Sequence, residues 1–129
     1  MPANNSSVLR RTLLRWYEKN KRDLPWRKSS DPYAIWIAET MLQQTQVKTV
    51  LPYYERFLAA FPTLDALARA RRELILRLWS GLGYYRRAEN LRRAARQLVR
   101  RSLGEIPRTY DALRALPGIG DYTAGAILS

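Results

Sequence analysis

The sequence contains no cysteine and no histidine. Disulfides and the usual zinc sites are therefore excluded within these residues, and imidazole is removed as a catalytic base. Acids are scarce: 11 Asp and Glu face 23 Lys and Arg, giving a formal charge of +12. That imbalance suits a polyanionic partner, nucleic acid being the commonest, although composition alone leaves a merely soluble basic protein level with it. Long apolar runs are missing, and Met1–Ser7 is polar, without the apolar stretch of a signal peptide. A soluble intracellular protein is the expectation. Strand-like alternation is also missing, so the predicted fold is all-α. What is present is 47% apolar residue content in 129 residues, enough for one domain with a modest core or for part of a larger one.

Ser6 or Ser7 caps a first predicted helix that carries Leu9, Leu13, Trp16 and Tyr17 and ends near Asn20. A polar loop follows over 21–30, interrupted by Leu24-Pro25-Trp26. Asp31-Pro32 has the form of a helix start, an acidic N-cap followed by proline at the first helical position. Tyr33 to Leu42 is apolar almost all round, which predicts a central, buried helix. From Val47 on, Val50, Leu51, Tyr54, Leu58 and Phe61 keep helical spacing, with Pro52 expected to bend or start that helix. Short helices are expected over 64–69 and 72–79, the second stopping at Gly81 and Gly83. The longest is expected from Tyr84 to Arg101, with Ala88, Leu91, Ala95 and Leu98 as its core stripe. A helix over 110–115 leads into Leu116-Pro117-Gly118-Ile119-Gly120 and a last apolar helix from Tyr122. No stop signal follows before Ser129, so the chain reads as part of a longer parent.

Glu39 is the odd residue. Its helical neighbours are Ile35, Trp36, Leu42 and Gln43, so it projects from an apolar surface. Burial there would raise a carboxyl pKa toward the range of a general acid at neutral pH. Read locally, a position at the helix edge, reaching water or an arginine, is the stronger account. The string L-P-G-I-G-x-x-T-A points elsewhere: a tight glycine turn opening a helix presents backbone N–H groups that bind phosphate whatever the base sequence. Arg86, Arg87, Arg92, Arg93, Arg96, Arg100 and Arg101 crowd the long helix; most are read as a solvated face rather than a DNA channel. Tyr84 and Tyr85, beside the Gly81–Gly83 turn, are suited either to stack on bases or to pack beneath the turn.

Together these strings resemble the A/G-specific adenine glycosylases of the helix–hairpin–helix DNA glycosylase superfamily. The matching motifs are L-P-W-R at 24–27, D-P-Y at 31–33, A-E-T-M-L-Q-Q-T-Q-V at 38–47, W-S-G-L-G-Y-Y-R-R-A at 79–88 and residues 116–129. They occur in the family's order and run from about Trp16 to the last residue. The resemblance implies that residues 1–129 are the N-terminal part of a helix–hairpin–helix catalytic domain, an incomplete fold with its hairpin at about 114–125. Endonuclease III-like enzymes, which also cut the strand, carry a lysine nucleophile just before the Thr-Ala step. Tyr122 stands there in this chain, which implies a monofunctional enzyme.

The resemblance also implies roles. Glu39 corresponds to the catalytic glutamate that protonates the departing adenine and helps position water, and Tyr122 to a tyrosine beside the catalytic carboxylates. Trp26, Arg27, Leu42 and Val47 correspond to residues lining the pocket for the flipped base. Gln44 and Tyr84 correspond to side chains that enter the DNA stack, and Gly118, Ile119 and Gly120 to the phosphate anchor. The implied reaction is hydrolysis of the N-glycosidic bond of adenine mispaired with 8-oxoguanine or guanine, after base flipping. The implied partner is double-stranded DNA containing adenine mispairs, bound by a monomer in the bacterial cytoplasm, with no membrane partner. A second carboxylate, the four cysteines of a [4Fe–4S] cluster and the domain that reads 8-oxoguanine are expected beyond Ser129. No cofactor or metal is expected within this chain, and the chain alone is expected to be inactive. The competing function is a non-catalytic helix–hairpin–helix DNA-binding fragment.

Phosphate contacts release counterions, so affinity for duplex DNA should fall linearly and steeply with salt on a log–log plot, with little base preference. A titration repeated between about 50 and 200 mM salt checks this, and a flat response would contradict the phosphate reading.

Overall fold

A computed structural model describes residues 31–101 and 104–129. The expected first helix, the loop after it, and Trp26 and Arg27 lie outside the described residues. Among the described residues the chain forms seven helices and no strand, as the missing alternation predicts. They are α1 (Pro32–Leu42), α2 (Val47–Ala60), α3 (Leu64–Arg69), α4 (Arg72–Trp79), α5 (Arg86–Arg101), α6 (Tyr110–Arg114) and α7 (Asp121–Leu128).

Helix α1 starts as its sequence dictates. The Asp31 carboxylate accepts a hydrogen bond from the Tyr33 amide at 3.0 Å, and Pro32 takes a position whose N–H would have no intrahelical partner. Every residue from Tyr33 to Met41 is buried, because α2, α5 and α7 all pack against α1. A helix without a polar face has no other stable place. Behind it, Phe57 of α2 sits edge-on to Phe61 and to Trp79, with ring centroids 5.0 Å and 5.9 Å apart. Helix α5 buries the expected stripe of Ala88, Leu91, Ala95 and Leu98, joined by Ala94. Its alanines leave room for close approach of α3 and α4. Short helices are started by side-chain caps: Thr63 accepts from the Ala66 amide at 3.1 Å and Thr109 from the Ala112 amide at 3.3 Å.

Two boundaries differ from the sequence reading. Pro52 lies inside α2 without ending or starting it. The N–H it lacks would have met the carbonyl of Lys48, and both residues are exposed, so water can satisfy that carbonyl. Helix α5 begins at Arg86 rather than Tyr84, because Tyr84 has left-handed backbone, φ 51°, and stays outside the helix.

The turn between α6 and α7 is tightened by Ile119, whose amide donates to the Leu116 carbonyl at 3.3 Å. Gly118 in that turn has φ +80°, and a β-carbon there would lie 2.8 Å from Cβ of Asn90 on α5. Gly125, in the middle of α7, would meet nothing within 4 Å. Gly118→Ala should therefore cost about 1–3 kcal/mol of stability through backbone strain and overlap. Gly125→Ala should gain about 0.5–1 kcal/mol by removing a flexible residue from a helix. Urea unfolding of the two variants checks this, and equal effects would contradict the packing of the turn on α5.

Candidate functional site

Helix α1 carries Glu39 to the interior and ends there, and both facts need an account. The Glu39 carboxylate is 1% exposed. It does not stand at the helix edge in contact with solvent, as its local sequence favours; among the described residues α2, α5 and α7 pack against α1. The last carbonyls of a helix have no intrahelical donors, and leaving them buried and unbonded would be costly. Thr40 turns its hydroxyl back to the Trp36 carbonyl at 2.8 Å. The carbonyls of Thr40, Met41 and Gln43 all accept from one nitrogen, Nη1 of Arg87, at 3.1, 2.7 and 2.5 Å.

Arg87 comes from the first turn of α5 and is 8% exposed. Its remaining donors turn the other way: Nη2 donates to the Gly83 carbonyl at 3.1 Å and Nε to the Tyr84 carbonyl at 3.4 Å. The guanidinium carbon lies 5.4 Å from the ring centroids of both Trp79 and Tyr84. Burial pushes the guanidinium below the ordinary arginine range, with the Tyr84 phenol acting in the opposite direction, but the group stays charged. A cation at a helix C-terminus is also favoured by the helix dipole. The solvated-face reading holds for Arg86, Arg93, Arg96, Arg100 and Arg101, which are exposed; Arg92 is half-buried and Arg87 buried. Spacing could have found it, since Arg87, Leu91, Ala94 and Leu98 fall on one helical stripe.

The loops that Arg87 joins carry the two residues expected to enter DNA. Gln44 and Tyr84 are the non-glycine residues with positive φ among the described residues, at 60° and 51°. Both side chains face outward, Tyr84 being 60% exposed and Tyr85 46%. Neither tyrosine packs beneath its turn. Trp79 fills that place, fully buried, with its indole N–H donating to the Gly83 carbonyl at 3.0 Å.

The hairpin joins the same assembly. Gln43 Nε2 donates to Thr123 Oγ1 on α7 at 3.2 Å, and α1 packs on α7. Gly118 is exposed, whereas Ile119 is buried, its amide bonded to Leu116 and its carbonyl accepting from Arg114 Nη1 at 3.0 Å. What the turn can offer a phosphate is thus Gly118, Gly120 and the first turn of α7, where Gly120 brings no side-chain cap. Asp121, an acid in that first turn, accepts from Tyr110 and pairs with Arg114 at 2.8 Å, which offsets its charge. A cavity of about 20 Å³, lined by residues that include Thr40, Gln43, Arg87 and Gly118, separates the three elements and has room for about one water. Leu42, Val47 and Tyr122 are half-buried around the end of α1 and on α7.

The structure therefore gathers Glu39, Leu42, Gln44, Val47, Tyr84 and the hairpin around the C-terminal end of α1. Gln43, Asn90 and Thr123, which join these parts, went unnoticed in the sequence because polar residues at helix ends resemble ordinary solvated ones. An iron–sulfur cluster does not fit these residues: the chain has no thiol, and among the described residues no group of His, Cys, Asp or Glu could hold a metal.

Residues 37–125 match the model of the HhH-GPD superfamily of base excision DNA repair proteins. The adenine DNA glycosylase of Rattus norvegicus is 50% identical over 132 residues, covering 95% of this chain and 26% of the relative. That of Buchnera aphidicola subsp. Baizongia pistaciae is also 50% identical, over 123 residues, covering 95% of this chain and 35% of the relative. The chain thus spans about a quarter to a third of the length of these curated relatives. Among solved structures, a thermostable thymine-DNA glycosylase superposes with a TM-score of 0.78 at 31% identity, covering 98% of this chain and 59% of that one. A non-covalent endonuclease III–DNA complex superposes with a TM-score of 0.72 at 26% identity, covering 77% and 47%. With residues 37–125, more than half of the chain, matched by that model, the chain belongs to the HhH-GPD superfamily of base excision DNA repair proteins.

Proposed function

We propose that this chain supplies the acid-bearing, DNA-gripping part of an adenine DNA glycosylase acting on adenine mispaired with 8-oxoguanine or guanine. The observation that carries the reading is the burial of Glu39 on a helix whose end is tied both to the hairpin and to the Tyr84 turn. Burial favours the protonated form of a carboxyl, which is the form a general acid needs. The relatives named adenine DNA glycosylase support the choice of base, at 50% identity for the rat and Buchnera proteins.

In the proposed reaction the hairpin holds the backbone of double-stranded DNA through phosphate, and Gln44 and Tyr84 occupy the space from which adenine turns out. Leu42 and Val47 line the receiving pocket. Glu39 gives its proton to a ring nitrogen of adenine as the bond from C1′ to the base breaks. The electron pair leaves with the base, and a water oxygen then bonds to C1′ as the Glu39 carboxylate takes up one of its protons. Tyr122 offers no amine to trap the sugar, which fits base removal without strand cleavage. The sugar cation needs a second anionic group. Neither Asp111 nor Asp121 serves: both are exposed, and Asp121 is engaged by Arg114. The 129 residues alone are accordingly proposed to bind duplex DNA without releasing base, and catalysis to require the further length that the relatives have.

Glu39→Gln keeps the shape of the side chain and removes the transferable proton. In a chain extended with the remaining length of a curated relative, single-turnover adenine release should fall by about a hundred- to ten-thousand-fold. Mispair binding should survive, because the hairpin, Gln44 and Tyr84 are untouched. Near-unchanged release by a folded Glu39→Gln variant would remove Glu39 from the role of acid.

A further inference from the structure

We propose that Arg87 is a positioning residue that fixes Gln44 and Tyr84 in one spatial relation, so that the two outward side chains meet DNA as a single unit. The geometry stands by itself; its consequence for DNA rests on the proposed function. Left-handed backbone is disfavoured for any residue with a β-carbon, and it persists only where its surroundings impose it. Gln44 and Tyr84 both adopt it, yet both side chains face solvent, so core packing does not explain either.

The peptide groups on each side of these residues explain both. Before Gln44, the Gln43 carbonyl is held by Arg87 Nη1 at 2.5 Å; after it, the Thr45 amide donates to the Leu42 carbonyl at 3.2 Å. Before Tyr84, the Gly83 carbonyl accepts from Arg87 Nη2 at 3.1 Å and from the Trp79 indole at 3.0 Å. After Tyr84, its own carbonyl accepts from the Arg87 amide at 3.0 Å and from Nε at 3.4 Å. Each left-handed residue thus lies between two fixed peptide planes, and one guanidinium contributes to both loops. The planar fork reaches the two loops at once; the single ammonium of lysine cannot reproduce that geometry.

The test has two readouts: melting of the 129-residue chain, and DNA binding by a chain extended with the remaining length of a curated relative. Arg87→Lys should lower the melting temperature. Gln44→Gly and Tyr84→Gly should each raise it more in the Arg87→Lys background than in the Arg87 background, because glycine needs no holder to keep a positive φ. Purely additive effects would overturn the proposal. The second readout is the preference for a duplex with one A·G mispair over a fully paired duplex at low salt. Arg87→Lys should lose about tenfold of mispair affinity while paired-duplex affinity, which depends on the hairpin, stays within about twofold. Equal loss on both duplexes would mark Arg87 as a structural residue only and overturn positioning. If Arg87→Lys fails to fold, the glycine variants in the Arg87 background decide. They should melt higher while losing mispair preference, and lower melting would overturn the proposal. An extended chain with Arg87 unaltered that shows no mispair preference would count against the proposed function, leaving the melting cycle to decide the role of Arg87.

Discussion

A helix that ends inside a protein must find donors for its last carbonyls, and this chain solves that with one arginine. The guanidinium of Arg87 accepts the burden of Thr40, Met41 and Gln43 and spends its other donors on Gly83 and Tyr84. Hydrogen bonds from a charged donor are among the stronger ones in a folded chain, about 1.5–3 kcal/mol each. Without them α1 would have to end at the surface, and a helix that ends at the surface cannot keep all of Tyr33–Met41 enclosed. The burial of Glu39 therefore follows from a contact made by a residue 48 positions away in sequence.

Enclosure of α1 has a second consequence. Its three neighbours, α2, α5 and α7, come from well-separated parts of the chain, so the environment of Glu39 is assembled by tertiary packing rather than by its own helix. Gln43 repeats the theme on the hairpin side: its carbonyl serves Arg87 while its side-chain amide reaches Thr123. One residue at the helix end is thus tied to the hairpin side and, through Arg87, to the tyrosine turn.

How much of this was legible beforehand depends on what each residue's signal required. The all-α class, the Asp31-Pro32 start, the enclosed α1 and the α5 stripe follow from local spacing and were readable. The start of α5 was not, because the left-handed Tyr84 is set by bonds to Arg87 and by a tryptophan five residues back. Glu39 misled in the other direction. Its neighbours at three and four positions described one face, and the covering of its remaining sides lay in distant helices. Arg87 was hidden by its company, one buried cation within a run of mostly exposed ones, although its register with Leu91 and Leu98 marked it. The motifs reached the right family where periodicity could not, since G-L-G-Y-Y-x-R-A contains Arg87 itself.

The close seat of Gly118 on Asn90 has a metric meaning. Asn90 and Arg87 lie three residues apart on α5, about 4.5 Å along its axis at 1.5 Å per residue. The hairpin rests on one mark of that helix and the tyrosine turn hangs from the other, and a helix interior barely stretches. Helix α5 thus acts as a ruler of fixed length between the hairpin and the tyrosine turn. In the proposed complex, a duplex engaged at both would adjust its own spacing to the ruler, and the strain of the encounter would fall on the nucleic acid rather than on the protein.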